Sequence, residues 1–289
     1  MIEKYGLVKE NEPIKKHTTY KLKGKIAKIV YPKDKQNLIK LIKYLKKNNI
    51  KHKIIGNGSN LIFTKDYNGV IIKLNNLNSL KIKNNIIKVE AGYSLTKLSL
   101  QTAKLSLSGL EFASGIPATI GGAIYMNAGA YNKDMASIIK EVLVLDENLN
   151  LKTLTKKDLN FNYRSSILKE KNYICLEATL ELTPKPKEEI LKLIKDRKER
   201  RIKTQPLNYP SAGSVFRNPK NDFAARLIEE AGLKGKNIND AKVSEKHANF
   251  IINSGNASGE DIKKLINYIQ NKIKEKYDIE LILEQEIIE

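Results

Sequence analysis

The stretch SGIPATIGGAIYMNAGAY, Ser114 to Tyr131, holds four glycines and no charge, in a chain whose residues are 29% charged. Backbone this bare suits close approach, either to another strand or to a flat or phosphorylated ligand. A second segment, IIGNGSNLIF (54–63), puts a glycine-rich turn directly after a strand-like run. N–H groups in such a turn can converge on a phosphate. Two segments of this kind suggest a dinucleotide, with Gly115, Pro117, Gly121 and Gly122 baring one backbone and Thr119 offering a hydroxyl. A Rossmann fingerprint is excluded: position 61 is Leu, a second strand follows in place of a helix, and Asn75 and Asn76 stand where a ribose-binding acid belongs.

The rest of the composition narrows the class. At 289 residues, 41% of them hydrophobic, the chain can bury a substantial core, and no apolar run reaches the ~20 residues of a membrane span. The start, MIEKYGLVKENEP, lacks an apolar leader core, which reads as a cytoplasmic protein. Cys175 is the single cysteine and lies in an apolar strand-like run, as a buried thiol would. His17, His52 and His247 are too scattered for a metal site, and none is expected. The formal charge of +20 points toward polyanions, yet only Arg164, Arg197, Arg200, Arg201, Arg217 and Arg226 among the 52 basic residues are arginine. Dispersed lysine amid much Asn and Ile reads as compositional bias rather than a nucleic-acid face, since base and phosphate readers favour arginine forks.

Periodicity gives a strand at 25–32 and a helix at 33–49 with Leu38, Leu41, Ile42 and Leu45 on one face. Strand-like runs to residue 75 complete a βαββ-like unit. A second, α+β unit covers 76–190, with a helix at 94–107. The basic helix 187–203 leads through TQPLNYP into a third block, 191–289, with helices near 223–232 and 259–275. The terminal IELILEQEIIE alternates, which puts Glu284 and Glu286 on one face and Leu283 and Ile287 on the other.

Three polar positions stand out, each with an ordinary explanation when taken alone. Arg164 in NFNYRSSIL can be a surface arginine over a strand. Ser214 in YPSAGSVFRNP can be a turn serine, and the motif differs from a nucleophile elbow. Glu286 can belong to a solvated edge.

Together these pieces are a more specific sign. HTTYKLKGKIAKIVYP (17–32), IIGNGSNLIF, GLEFASGIPATIGGAIYMNAGAY (109–131), NYRSSIL, QPLNYPSAGSVFRNP (205–219), AARLIEEAGLKGKNINDAKVSEKHANFIIN (224–253) and LEQEIIE occur in order over nearly the whole chain. The set resembles the UDP-N-acetylenolpyruvoylglucosamine reductases (MurB), in particular the shorter, type II subgroup. The resemblance implies an α+β FAD-binding fold of the vanillyl-alcohol-oxidase (PCMH) type in two subdomains, 1–75 and 76–190, and a C-terminal α+β substrate domain, 191–289.

It implies non-covalent FAD, because the GNGSNL turn holds no His or Cys for attachment, with contacts from Gly56, Asn57, Gly58, Ser59, Asn60, Leu61, Gly115, Thr119, Gly121 and Gly122. NADPH is the implied co-substrate and UDP-N-acetylglucosamine enolpyruvate the implied substrate, met by Gly129, Tyr131, Arg217 and Asn218. The implied catalytic residues are Arg164 at the substrate carboxylate, Ser214 as proton donor and Glu286 as hydrogen-bond partner. The implied enzyme is a cytoplasmic monomer of peptidoglycan precursor synthesis, on which cell shape and division depend, with no membrane or nucleic-acid partner. Two features depart from the pattern: Val215 and Arg217 replace an aromatic and a lysine, and the chain ends at Glu289 without the arginine and glycine common near the family's end. Another flavin oxidase of the same fold, or a basic nucleic-acid-binding protein, are the competing readings.

Overall fold

A computed structural model describes residues 1–289. In chain order it contains β1 (Gly6–Pro13), β2 (Lys25–Pro32), α1 (Lys35–Lys47), β3 (His52–Ile55), β4 (Leu61–Phe63) and β5 (Tyr67–Lys73). Next come β6 (Leu80–Lys83), β7 (Ile86–Glu90), α2 (Leu95–Lys104), β8 (Leu107–Ser108), α3 (Ile120–Tyr125), β9 (Gly129–Ala130) and β10 (Lys133–Asp134). The middle continues with β11 (Ile139–Leu145), β12 (Leu151–Thr155), α4 (Ile167–Glu170), β13 (Ile174–Glu181), β14 (Thr183–Pro184) and α5 (Lys187–Thr204). The chain closes with α6 (Ala224–Glu230), β15 (Asn237–Ile238), β16 (Ala241–Val243), β17 (Ile251–Asn253), α7 (Gly259–Tyr277) and β18 (Glu286–Ile288). One sheet has the order β1-β2-β5-β3. No helix is long and apolar enough to cross a membrane.

The chain divides into two compact units. The first comprises Met1–Lys9, Ile29–Asn57 and Ile71–Glu199. Its centre is the five-stranded sheet β12-β11-β13-β7-β6, in which β13 pairs antiparallel with β7 so that Ala178 faces Val89 and Leu180 faces Ile87. All four of these side chains are buried. Helix α1 forms where the periodicity places it: Asp34 caps its first turn by accepting from Asn37 N at 2.8 Å, and Leu38, Leu41, Ile42 and Leu45 are its buried face. Its first residue, Lys35, reaches two sheet carboxylates, Glu177 at 2.8 Å and Glu90 at 3.1 Å. Cys175 lies beneath, and burial pushes its thiol up to about 12, leaving a protonated packing group.

The second unit comprises Glu10–Lys28, Gly58–Val70 and Arg200–Glu289. It holds the antiparallel sheet β15-β16-β17, the parallel pair β18-β4 and α7. A full capping box starts α7: Ser258 Oγ accepts from Asp261 N at 3.1 Å, and the Asp261 carboxylate accepts from Ser258 N at 2.8 Å. The helix then buries Ile262, Leu265, Ile266, Ile269 and Ile273. The alternating tail behaves differently from its expectation. Only Glu286–Ile288 is regular strand, and the buried positions are Leu281, Gln285 and Ile288, with Leu283 and Ile287 only half-buried. The segment changes partners midway: Arg217 N donates to Ile282 O and Glu284 N to Val215 O, whereas Glu286 N donates to Asn60 O. A switch of partner breaks the two-residue alternation.

The start of α7 is pressed against β4. A Cβ on Gly259 would sit 1.8 Å from the Phe63 carbonyl oxygen, and neither backbone can retreat without disturbing the β4–β18 pair. Gly259→Ala is therefore expected to cost about 1–3 kcal/mol or more, as overpacking does, against about 1 kcal/mol for loss of the Ser258 cap in Ser258→Ala. Urea unfolding of the two variants tests that order.

Candidate active site

Sequence reasoning singles out two glycine-rich segments, and in the first unit they meet. A Cβ on Gly56 would lie 2.6 Å from Thr119 Oγ1, and Asn57 Nδ2 donates to Pro117 O at 3.2 Å. The Thr119 hydroxyl also has a structural task, because it caps α3 by accepting from Gly122 N at 3.3 Å. Helix α3 is docked on the end of β7 through Gly121 N to Ala91 O at 2.8 Å and Ile120 N to Tyr93 O at 2.9 Å. Gly115, Gly121 and Gly122 are half-exposed, while Thr119 is buried.

Arg164 sits at a tight turn rather than along a strand. Asn162 and Ser165 exchange backbone hydrogen bonds at 3.1 Å in both directions, which puts Tyr163 and Arg164 at the turn. Arg164 takes the left-handed conformation at φ +57°, an arrangement that non-glycine residues keep only where their surroundings hold them. Its guanidinium donates from Nη2 to Gly129 O at 2.9 Å and lies 5.1 Å from the centre of the Tyr163 ring. The holding group is Asn127, which sequence reasoning missed. Buried at 3% exposure, Asn127 donates to Asn162 O at 3.0 Å and Asp134 Oδ2 at 3.1 Å, and accepts from Ala136 N at 3.0 Å. Arg164 and Gly129 are thus brought together. Tyr131, also left-handed at φ +55°, donates to Arg197 O at 3.2 Å and stacks under that guanidinium.

In the second unit the turn 58–61, Ser214, Arg217, Asn218 and Glu286 are placed by irregular backbone. Gly58 is buried against the His17 carbonyl, 2.3 Å from where a Cβ would be. Leu61 stands opposite Glu286 in the β4–β18 pair, and Asn60 Nδ2 donates to Glu284 O at 3.1 Å. The segment after Ser214 is clamped by Asn249, another residue missed from sequence: Phe216 N donates to Asn249 Oδ1 at 2.9 Å, Asn249 Nδ2 to Phe216 O at 2.8 Å, and Val215 N to Asn249 O at 2.9 Å. Val215 is buried, so an apolar residue fits where the family motif has an aromatic. Arg217 is half-buried; Asn218 is exposed and accepts from Ala224 N at 3.2 Å. A buried asparagine in an apolar run, as in HANFIIN, was the available signal for Asn249.

Comparison with known proteins identifies the family. Residues 205–288 match the model described as UDP-N-acetylenolpyruvoylglucosamine reductase, C-terminal domain. The chain belongs to the UDP-N-acetylenolpyruvoylglucosamine reductase family. Residues 26–154 match an FAD binding domain, so the expected α+β combination of an FAD-binding part and a C-terminal reductase domain holds. A reductase of this name from Caldanaerobacter subterraneus is 46% identical over 288 residues, covering 99% of this chain and 95% of the relative. The Clostridium tetani reductase is 46% identical over 291 residues, covering 100% and 95%. The crystal structure of the MurB reductase from Thermus caldophilus superposes with a TM-score of 0.84 at 32% identity, covering 98% of this chain and 100% of that one. Family membership makes the chain a flavin-dependent oxidoreductase.

Of the two glycines of α3, only Gly122 leaves backbone bare in a way that suits the cofactor such a domain binds. Gly121 is explained by the protein's own packing, since a Cβ there would lie 3.0 Å from Ala91 Cβ. Gly122 is not: a Cβ would meet only the Thr119 hydroxyl, at an ordinary 3.4 Å. A helical glycine costs about 0.5–1 kcal/mol relative to alanine, and nothing in the chain requires this one. Backbone left bare for an external group accounts for it. Gly122→Ala should therefore leave flavin-free protein as stable as before or up to about 1 kcal/mol more stable, while weakening FAD binding. Gly121→Ala should lower stability instead. Thermal unfolding of the apoprotein and fluorescence titration with FAD separate the two, and unchanged FAD affinity in Gly122→Ala would refute the assignment.

Proposed function

We propose that the chain is an NADPH-dependent flavoenzyme that reduces the enolpyruvyl ether of UDP-N-acetylglucosamine to UDP-N-acetylmuramate in peptidoglycan precursor synthesis. Relatives carrying the reductase name match it along about their whole length, and every motif of the resemblance is present in order. The observation that carries the reading is the anchoring of Glu286. Although three residues from the terminus, it pairs with Leu61 and donates its N–H to Asn60 O at 2.9 Å, beside the turn assigned to the flavin.

In this reading the 56–61 turn and the 115–122 segment would hold FAD, which, with NADPH as reductant, would supply a hydride for the terminal carbon of the enolpyruvyl double bond. The electron pair of that bond moves toward the substrate carboxylate. Arg164 neutralises the charge that develops there, as electrostatic stabilisation of the transition state requires. Glu286 hydrogen-bonds the enolic form of the same carboxylate. Ser214 Oγ transfers its proton to the neighbouring carbon, then recovers a proton from solvent. A serine is a weak acid, and it serves because an enolate is strongly basic. Gly129, Tyr131, Arg217 and Asn218 bind the substrate, with Arg217 meeting the diphosphate through two N–H donors where lysine offers a point charge. The enzyme works in the cytoplasm as a monomer.

Stopped-flow separation of the two half-reactions tests these roles. Ser214→Ala is expected to leave flavin reduction by NADPH intact and to slow flavin reoxidation by the enolpyruvyl substrate about a hundred- to a thousand-fold, the usual worth of one such group. Equal loss in both half-reactions would count against it. Glu286→Gln and Arg164→Lys should lower the second rate more than substrate affinity, and their double variant should lose less than the product of the single losses. Folded, flavin-loaded Glu286→Gln that reoxidises at the wild-type rate would remove the glutamate from the mechanism.

A further inference from the structure

Gln285 is buried between the half-exposed Glu284 and Glu286, at a position where an apolar residue would be expected. The side chain is 3% exposed. Its Nε2 lies 3.1 Å from Ala212 O, 3.2 Å from Gly213 O and 3.3 Å from Ser214 O. Its Oε1 accepts from the Tyr20 hydroxyl at 3.0 Å. Carbonyl oxygens only accept, so the NH2 end must face the loop and the oxygen must face Tyr20. Tyr20 is wholly buried, and burial pushes its phenol well above the ordinary range, so it remains a donor. Three successive carbonyls turned toward one amide define the backbone path up to Ser214. Gly213, left-handed at φ +76°, gives that path its turn, and no neighbouring atom lies within 4 Å of where its Cβ would be. Gly213 itself makes no packing contact on that side, although its neighbours Ala212 and Val215 are buried.

We infer that Gln285 is a positioning residue for proton delivery: held by Tyr20, its amide fixes the Ala212–Gly213–Ser214 carbonyls and so the direction in which the Ser214 hydroxyl is presented. Its chain neighbour Glu286 opens β18, so two adjacent residues serve both groups, Gln285 through the loop and Glu286 directly. Because two N–H bonds are shared among three carbonyls, the amide resists a shift of any one of them. A small misplacement of a reacting group is enough to cost a large factor in rate. The inference rests on the proton-donor reading of Ser214.

Gln285→Met keeps the length and volume of the side chain and removes both its polar ends. The flavin-loaded variant is expected to be reduced by NADPH at the wild-type rate and to be reoxidised by UDP-N-acetylglucosamine enolpyruvate about ten- to a hundred-fold more slowly, with KM changed by less than about threefold. The solvent deuterium isotope effect on reoxidation should rise as proton transfer becomes limiting. In a Ser214→Ala background the same change should add almost nothing, since Gln285 acts through that serine. A purely structural role would slow reduction and reoxidation together, or lower the melting temperature without slowing either, and both results overturn the inference. If Gln285→Met gives no soluble protein, Tyr20→Phe decides: reoxidation slowed at least about threefold with reduction intact supports the role, and unchanged reoxidation overturns it. Ser214→Ala run in parallel separates the levels. If that variant reoxidises normally, the proton-donor reading falls and the role of Gln285 falls with it; if only Gln285→Met reoxidises normally, the positioning role alone is wrong.

Discussion

Two hydrogen bonds at Asn60 hold the second unit closed. Asn60 O accepts from Glu286 N at 2.9 Å and Asn60 Nδ2 donates to Glu284 O at 3.1 Å, the second bond joining positions 224 residues apart in the chain. Closing so long a loop costs little more entropy than closing a shorter one, but a strand of three residues cannot meet that cost from its own ladder. The remainder comes from behind. Helix α7, started by its capping box and seated with Gly259 against the Phe63 carbonyl, backs β4, and β4 in turn supports β18. Thr64 N donates to Ile288 O at 3.1 Å at the far end of the pair. The proposed catalytic glutamate thus sits on a strand fixed at both ends despite its position near the terminus.

The loops bearing the other proposed residues are irregular, and their backbone groups find no partners in a regular ladder. Buried groups of that kind must be satisfied locally, and amide side chains supply the need repeatedly. Asn127 fixes the turn that carries Arg164. Asn249 brackets Phe216 just after Ser214. Asn253 donates to Tyr20 O at 3.0 Å and accepts from Ala257 N at 2.9 Å, and Gln285 meets three carbonyls at once. Each offers donor and acceptor from one planar group, so each can hold a bend that two strands could not. The abundance of asparagine in the composition conceals these residues, because a clamp and a solvated turn are written with the same letter.

Helix α1 and its buried face were legible because a 3.6-residue apolar period is a local property. The strand 25–32 and the starts of α5 and α7 were legible from equally local patterns. The glycine-rich segments were recognisable as bare backbone, but which glycine faces the protein and which faces outward depends on Ala91, a residue with no sequence relation to either. The tail 281–289 misled because alternation assumes one partner per face, and this segment has two partners in succession. Arg164 was visible as a charge among aromatic and apolar residues; its left-handed turn was not, since the Asn127 that imposes it is thirty-seven positions away in sequence.

Sequence by itself determined the elements with strong local periodicity, the two bare glycine segments, and, through motifs spread in order along nearly the whole chain, the family. Only the tertiary structure decided how these pieces serve a site: that Thr119 caps a helix while touching Gly56, that Glu10–Lys28 and Gly58–Val70 join the C-terminal segment in one compact unit, and that Gln285 turns inward to three loop carbonyls. The physical reason is range. Capping, periodicity and turn chemistry act over four or five residues, whereas the satisfaction of buried polar groups is settled by whichever donors and acceptors the fold brings within about 3 Å, and nothing in the local pattern specifies them.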